Sequence, residues 1–289
     1  AMVNFHGSQC GFCTPGFVMS LFAMYKNYSS FKEEIIRDSI QGNLCRCTGY
    51  RPIVAAAKSL NKNNKRDSFS RDKKITLNLL KKINKRSIAI VHNNKKYFAP
   101  KSINELSKIL RTEPNSKLIS GGTDLSLIVT KERKDLNSLV YLNSIDELNY
   151  IKENNKYIEV GASTPLIKFE SFAKKYFPDF SQILKRYGSV QIRNVCTIAG
   201  NIATASPIGD TLPLLLALDS QIIVKGKDKT KILSINGFFT NYRKTKLKKG
   251  QFIHSIRIPF LRQNIFKAYK ISKRIDDDIS SVCASFNME

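Results

Sequence analysis

HGSQCGFCTPGFVMS (residues 6–20) and GNLCRCTGYRPI (residues 42–53) hold four of the six cysteines of this 289-residue chain. Cys10 and Cys13 are spaced C-x2-C, Cys45 and Cys47 are spaced C-x-C, and 31 residues separate the pairs. Between and around them the apolar residues recur at helical spacing. Phe17, Leu21, Met24 and Tyr25 share one face, and Phe31, Ile35, Ile36 and Ile40 share another. Thr14 can cap the first helix with Pro15 at its first position, and Gly42-Asn43 reads as a left-handed end to the second. A third helix follows Arg51-Pro52 through IVAAAKSL. The expectation is an all-α module over residues 1–60 with both cysteine pairs at helix boundaries. Backbone N–H groups are free there to stabilise thiolates.

The next stretch, NKNNKRDSFSRDKK (61–74), has no apolar periodicity and reads as a linker. From residue 75 to 289 the pattern is α+β. KYFAP, KLISGG, SLVYL, YIEVGA, QIIVKG, FIHSIRIP and KAYKIS read as strands. SINELSKILR, LIKFESFAKKY, SQILKRYG and PLLLALD read as helices, with at least one βα unit near the start. Nothing repeats at a fixed period.

Composition sets the outer limits. The length allows two domains and a sizeable core. No run of about 18 apolar residues occurs, so no membrane span is expected, and the chain start lacks a secretory pattern; both favour the cytoplasm. The formal charge is +25, from 48 Lys and Arg against 23 Asp and Glu. Nucleic-acid binding is one reading of such a charge. The lysines are scattered, however, there is no Trp, and the loose concentration at 58–86 lies largely in the linker. A lysine- and asparagine-rich background accounts for the charge better. Cys196 and Cys283 stand alone and read as small buried hydrophobes.

Four thiolates in two tight pairs suit a metal more than disulfides in a cytosolic chain. Spacing leaves open tetrahedral zinc or an iron–sulfur cluster. The C-x-C pair and the intervening helices lean towards the cluster. Two further stretches are rich in small donors: KLISGGTDLSL (117–127) and YGSVQIRNVCTIAGNIATASPIGDTLP (187–213). A strand ending in Ser-Gly-Gly-Thr can form a nest of N–H donors for an anion. Taken alone, each stretch reads better as a packed turn.

The segments around the cysteines resemble the second [2Fe–2S] module of the xanthine dehydrogenase family of molybdenum hydroxylases. LISGGTDL, RNVCTIAGNIATASPIGDTLP and YKISKRIDDDIS (269–280) resemble the flavin segments of its FAD-binding domain, in the same order. The likeness spans nearly the whole chain apart from the linker and is closest to a small FAD/[2Fe–2S] subunit. It implies a helical [2Fe–2S] module followed by an α+β FAD-binding domain of the PCMH, vanillyl-alcohol-oxidase-like type. It assigns Cys10, Cys13, Cys45 and Cys47 to one [2Fe–2S] cluster, with Gln9 towards a molybdopterin in a partner. Leu118, Ile119, Ser120, Gly121, Gly122, Thr123, Asp124 and Leu125 would cradle the FAD diphosphate and ribityl chain. Tyr187 would sit at the adenosine end. Thr197, Ile198, Ala199, Gly200 and Asn201 would form the second flavin loop. Asp210 would accept from ribose hydroxyls or order the loop, Ile253 would pack on the cofactor, and Lys270 would lie by the flavin ring.

The resemblance further implies a molybdopterin-binding large subunit as partner, NAD+ as electron acceptor, a purine-like substrate oxidised elsewhere, and no catalytic acid, base or nucleophile in this chain. The family's plant-type [2Fe–2S] domain before this point and its smaller domain after the FAD domain are not found in the sequence, and the expectation is a truncated chain. Ile275 stands where vertebrate relatives place an arginine. The rival readings are a basic nucleic-acid-binding protein with a four-cysteine zinc module and a remnant that folds but transfers no electrons.

Overall fold

The computed structural model describes residues 1–61, 67–83, 86–226, 229–261 and 264–288. Its contacts divide the chain into residues 1–85 and 86–289. No helix among the described residues is long and apolar enough to cross a membrane.

The first unit is all-α: α1 (Thr14–Asn27), α2 (Glu33–Ile40), α3 (Arg51–Lys58) and α4 (Ser68–Ile83). Its core contains five of the residues that periodicity marks out, joined by two from α3. Phe17, Leu21 and Met24 of α1 meet Ile36 and Ile40 of α2 and Ile53 and Ala57 of α3, all buried. Two local expectations are corrected. Cys13, not Thr14, is the N-cap of α1, which brings Thr14 inside the helix. Gly42 does not take a left-handed conformation; α2 ends with the Asn43 amide donating to the Ile40 carbonyl at 2.9 Å. Between α2 and α3 the positive φ angles fall instead at Gly49 and Tyr50, immediately before α3.

The expected linker is also corrected. Residues 62–66 lie outside the described residues, but 68–74 are the first half of α4, within the first unit. Asp67 caps that helix, accepting from the Ser70 amide at 2.8 Å. It is also ion-paired to Lys26 of α1, and Phe69 packs edge-on against Phe22 with ring centroids 5.1 Å apart. Periodicity missed the helix because most of its apolar residues (Ile75, Leu77, Leu79, Leu80, Ile83) follow residue 74.

The second unit is α+β. A four-stranded sheet is built from β1 (Ile88–His92), β2 (Lys95–Ala99), β3 (Lys117–Ile119) and β4 (Ser138–Tyr141), in the order β1-β2-β4-β3. The β1–β2 hairpin turns through Asn93 and Asn94, both at positive φ, as a two-residue turn requires. The other pairings are parallel, with α5 (Ile103–Thr112) joining β2 to β3 and α6 (Leu125–Thr130) joining β3 to β4. Ser102 caps α5 by accepting from the Glu105 amide. A five-stranded antiparallel sheet contains β5 (Ile151–Glu153), β6 (Tyr157–Gly161), β7 (Gln221–Gly226), β8 (Lys229–Ser234) and β11 (Phe252–Pro259), in the order β5-β6-β11-β7-β8.

Against these lie α7 (Leu166–Tyr176), α8 (Pro178–Lys185), α9 (Val190–Arg193), α10 (Ile198–Thr204) and α11 (Thr211–Ala217). Phe169 of α7 and Phe180 of α8 stack edge-on at 5.3 Å within the core. Two small antiparallel pairs complete the unit: β9 (Phe239–Asn241) with β10 (Lys244–Thr245), and β12 (Ile265–Ile271) with β13 (Val282–Met288).

The tie between α1 and α4 is pH-dependent. The Lys26 ammonium and the Ser70 amide hold the Asp67 carboxyl down to about 2. Its folded value lies below the unfolded one of about 4, so the tie is complete above that range and lost as pH falls through about 2. Far-UV circular dichroism on acidification is expected to show loss of the α4 helix over this window. Asp67→Ala is expected to lose that signal at neutral pH already and to show no further step.

Candidate cofactor sites

The first site is a thiol cluster at the helix ends of the first unit. Gly11, at φ +81°, turns the chain between Cys10 and the N-cap Cys13. Cys45 and Cys47 sit in the loop between α2 and α3, where the Tyr50 hydroxyl accepts from the Cys45 amide at 3.1 Å. The sulfurs come together across the pairs. Cys47 Sγ is 3.5 Å from Cys10 Sγ, and Cys13 shares a hydrogen bond with Cys45.

Donors converge on two of these thiols. The Thr48 hydroxyl, 3.1 Å from Cys45 Sγ, and the Thr48 amide hold the Cys45 thiol down to about 7. A backbone hydrogen bond from Phe12 lowers Cys10. Burial raises Cys13, and sharing a hydrogen bond with Cys10 raises Cys47. Among the described residues no three His, Cys, Asp or Glu side chains close on a single metal position. Four thiols brought close in two pairs at two helix boundaries supply the four-thiolate donor set that a [2Fe–2S] centre needs. The donor set therefore fits a [2Fe–2S] cluster.

The second site is a cavity of about 640 Å³ in the second unit. Residues 118–125 form one wall, running from the end of β3 through the Ser-Gly-Gly-Thr turn to the start of α6. A Cβ on Gly121 would lie 2.2 Å from the Val195 carbonyl oxygen, so this turn meets the 195–197 segment main chain to main chain, and only glycine fits. Gly122 follows at φ +68°. Thr197, Gly200 and Asn201 line the facing wall. Thr197 caps α10 by accepting from the Gly200 amide at 2.9 Å. Asn201 donates to the Tyr187 hydroxyl at 3.0 Å and accepts from Thr211 at 2.5 Å, which fixes its amide. Tyr187 also lines the cavity, and burial drives its phenol far above the ordinary range.

Asp210 and Lys270 close the third side as a buried ion pair at 2.6 Å. The other two Lys270 donors go to the Asp278 carbonyl at 3.0 Å and the Arg186 carbonyl at 3.1 Å. Asp210 accepts from Ser280 through its second oxygen at 2.5 Å. Arg186 reaches back to the Lys270 and Ile275 carbonyls and to the Ser272 hydroxyl, clamping the acidic turn.

Most of the flavin-site residues expected from the sequence thus meet in one cavity. Ile198, Ala199 and Ile253 do not: they are 1%, 6% and 5% exposed and belong to the core behind the wall. The reading missed Arg243, from the β9–β10 turn, which also lines the cavity. No local motif marks it. Cys196 is buried and lines the cavity, with its thiol pushed up to about 12 by burial, and Cys283 is half-buried against the core.

The architecture is an N-terminal helical unit that carries four clustered thiols, followed by an α+β unit built around a cavity. Residues 1–58 match the family described as "[2Fe-2S] binding domain", and residues 91–261 match "FAD binding domain in molybdopterin dehydrogenase". The chain belongs to this molybdenum hydroxylase family. It is 31% identical over 98% of its length to xanthine dehydrogenase from Emericella nidulans and 29% identical over 98% to xanthine dehydrogenase/oxidase from Rattus norvegicus. It spans about a quarter of the length of both relatives. Among solved structures, carbon monoxide dehydrogenase from Hydrogenophaga pseudoflava superposes with a TM-score of 0.61 at 25% identity, covering 66% of this chain and 68% of that one.

The main-chain contact at Gly121 gives a sharp expectation. Gly121→Ala must push two backbones apart and is expected to cost about 1–3 kcal/mol, with loss of bound flavin. Gly200→Ala, whose Cβ would meet only the Thr197 hydroxyl at 3.1 Å, is expected to cost less stability. Urea unfolding and the flavin-to-protein ratio measure both. Cys45→Ser is expected to lose iron while flavin stays, because the two sites lie in separate compact units. Metal analysis and absorbance together read this out.

Proposed function

We propose that the chain is the electron-transfer part of a xanthine dehydrogenase-like oxidoreductase, conducting electrons from a molybdopterin-binding partner to NAD+. The observation that carries the reading is the pairing, in one chain, of four thiols in two sulfur pairs with a cavity walled by a glycine turn. When bound, the iron–sulfur cluster supplies one-electron relay, and FAD supplies the change between one-electron and two-electron traffic.

Cys10, Cys13, Cys45 and Cys47 would hold the cluster, with Thr48 and the Phe12 amide supporting thiolate charge at Cys45 and Cys10. Cys10 and Cys47 are exposed, and beside them Phe12 is 94% and Leu44 81% exposed. Large apolar side chains held in solvent next to a redox centre suit a surface covered by a partner, here the molybdopterin subunit, with Gln9 on the same stretch. Residues 118–125, with Thr197, Gly200 and Asn201, would cradle FAD. Residues 198, 199 and 253 would act only from behind that wall. Lys270 has no donor to spare, so it would serve the flavin by fixing the turn after β12 beside Asp210. A purine-like substrate would be oxidised in the partner, since this chain contributes no group to that step. Free thiols poised for a cluster suit a reducing compartment, and we place the protein in the cytoplasm.

The test is anaerobic titration of the flavin-loaded chain with NADH. Bleaching of the flavin band supports NAD+ as acceptor. A flavin reduced by dithionite but untouched by NADH would remove that assignment and leave the cofactor reading standing. A chain purified with zinc and no flavin would overturn the reading as a whole.

A further inference from the structure

The cavity wall carries three cations among its described residues: Lys117, Arg243 and Lys270. Lys270 spends its three donors on buried acceptors. Lys117 is exposed at the start of β3. Arg243 differs from both. It occupies the two-residue turn between β9 and β10 at φ +53°, a position where turns favour Gly or Asn. From there its Nη2 reaches Asp124 Oδ1 at 3.1 Å, the one hydrogen bond it makes among the described residues. Both side chains are a little over two-fifths exposed, so the guanidinium has further N–H groups free.

Asp124 follows Ser-Gly-Gly-Thr directly, on the turn whose main-chain donors suit an anion. An unpaired carboxylate there would repel such an anion. Arg243 cancels that charge and still offers a planar fork of donors, the geometry that matches phosphate oxygens. We infer that Arg243 is a specificity-determining residue of the flavin site. It neutralises Asp124 and meets the diphosphate of FAD, so that the site prefers the dinucleotide to riboflavin, which has no phosphate. The inference rests on the flavin reading above.

The experiment strips flavin from the full chain and measures reloading by quenching of flavin fluorescence, with FAD and with riboflavin as probes. Wild type is compared with Arg243→Ala, Arg243→Lys and Asp124→Asn. Loss of one charge-assisted contact should weaken FAD about tenfold in Arg243→Ala and leave riboflavin within about twofold. Arg243→Lys, which keeps charge without the fork, should fall between. Asp124→Asn should bind FAD at least as well as wild type, because the repulsion that Arg243 cancels is gone. Equal weakening of both probes in Arg243→Ala, which a merely structural turn residue would give, overturns the inference, as does unchanged FAD affinity. Failure of the wild-type chain to take up either flavin would instead overturn the cofactor reading and this inference with it.

Discussion

The ion pair between Lys270 and Asp210 is the interaction on which the geometry of the second unit's cavity depends. Its side chains are 2% and 6% exposed. Desolvating two charges is costly, and the cost is offset only where every remaining lone pair and proton is satisfied. Here the ammonium has three acceptors, and each carboxylate oxygen has a donor, Lys270 on one and Ser280 on the other. The partners come from four places: the end of α8, the start of α11, strand β12 and the turn that follows it. Arg186 repeats the connection in the opposite direction. One side of the cavity is therefore a closed polar network, and removing either charge would leave its partner buried and unpaired, at a cost of about 3–5 kcal/mol.

The other two walls are held by one main-chain contact and a set of side-chain hydrogen bonds. Gly121 lies against the carbonyl of Val195, and Thr197 and Asn201 are fixed by capping and by the Tyr187 and Thr211 hydroxyls. The thiol site of the first unit follows the same logic on a smaller scale. Two helix boundaries supply free donors, and the packing of Phe17, Ile36 and Ile53 holds those boundaries together.

Much of this was legible in the sequence, for identifiable reasons. Helices with one apolar stripe, such as α1, α2, α5 and α7, declare themselves through spacing. The misses are equally physical. α4 hides because its first turns are polar and its apolar residues crowd into the second half. Ile198 and Ala199 were grouped with their neighbours as one flavin loop, yet that loop is a helix. Thr197, Gly200, Asn201 and Thr204 recur at the spacing of one helix face and line the cavity, while Ile198, Ala199 and Ile202 turn to the core. Applied to this short stretch, the 3.6-residue period separates the two sets. Ile253 sits where β11 shifts register against β7, a bulge that no local pattern announces. Arg243 reaches its place through a hairpin more than a hundred residues from Asp124, a tertiary fact with no local signal.

The close approach at Gly121 has one more consequence. Main-chain atoms are the part of a residue that substitution leaves unchanged. Where the wall is main chain against main chain, as at Gly121 and Val195, its shape does not depend on which side chains surround it. The vulnerability of that stretch is concentrated at the position where a single added carbon has nowhere to go, whereas the side closed by Lys270 and Asp210 depends on both side chains being kept.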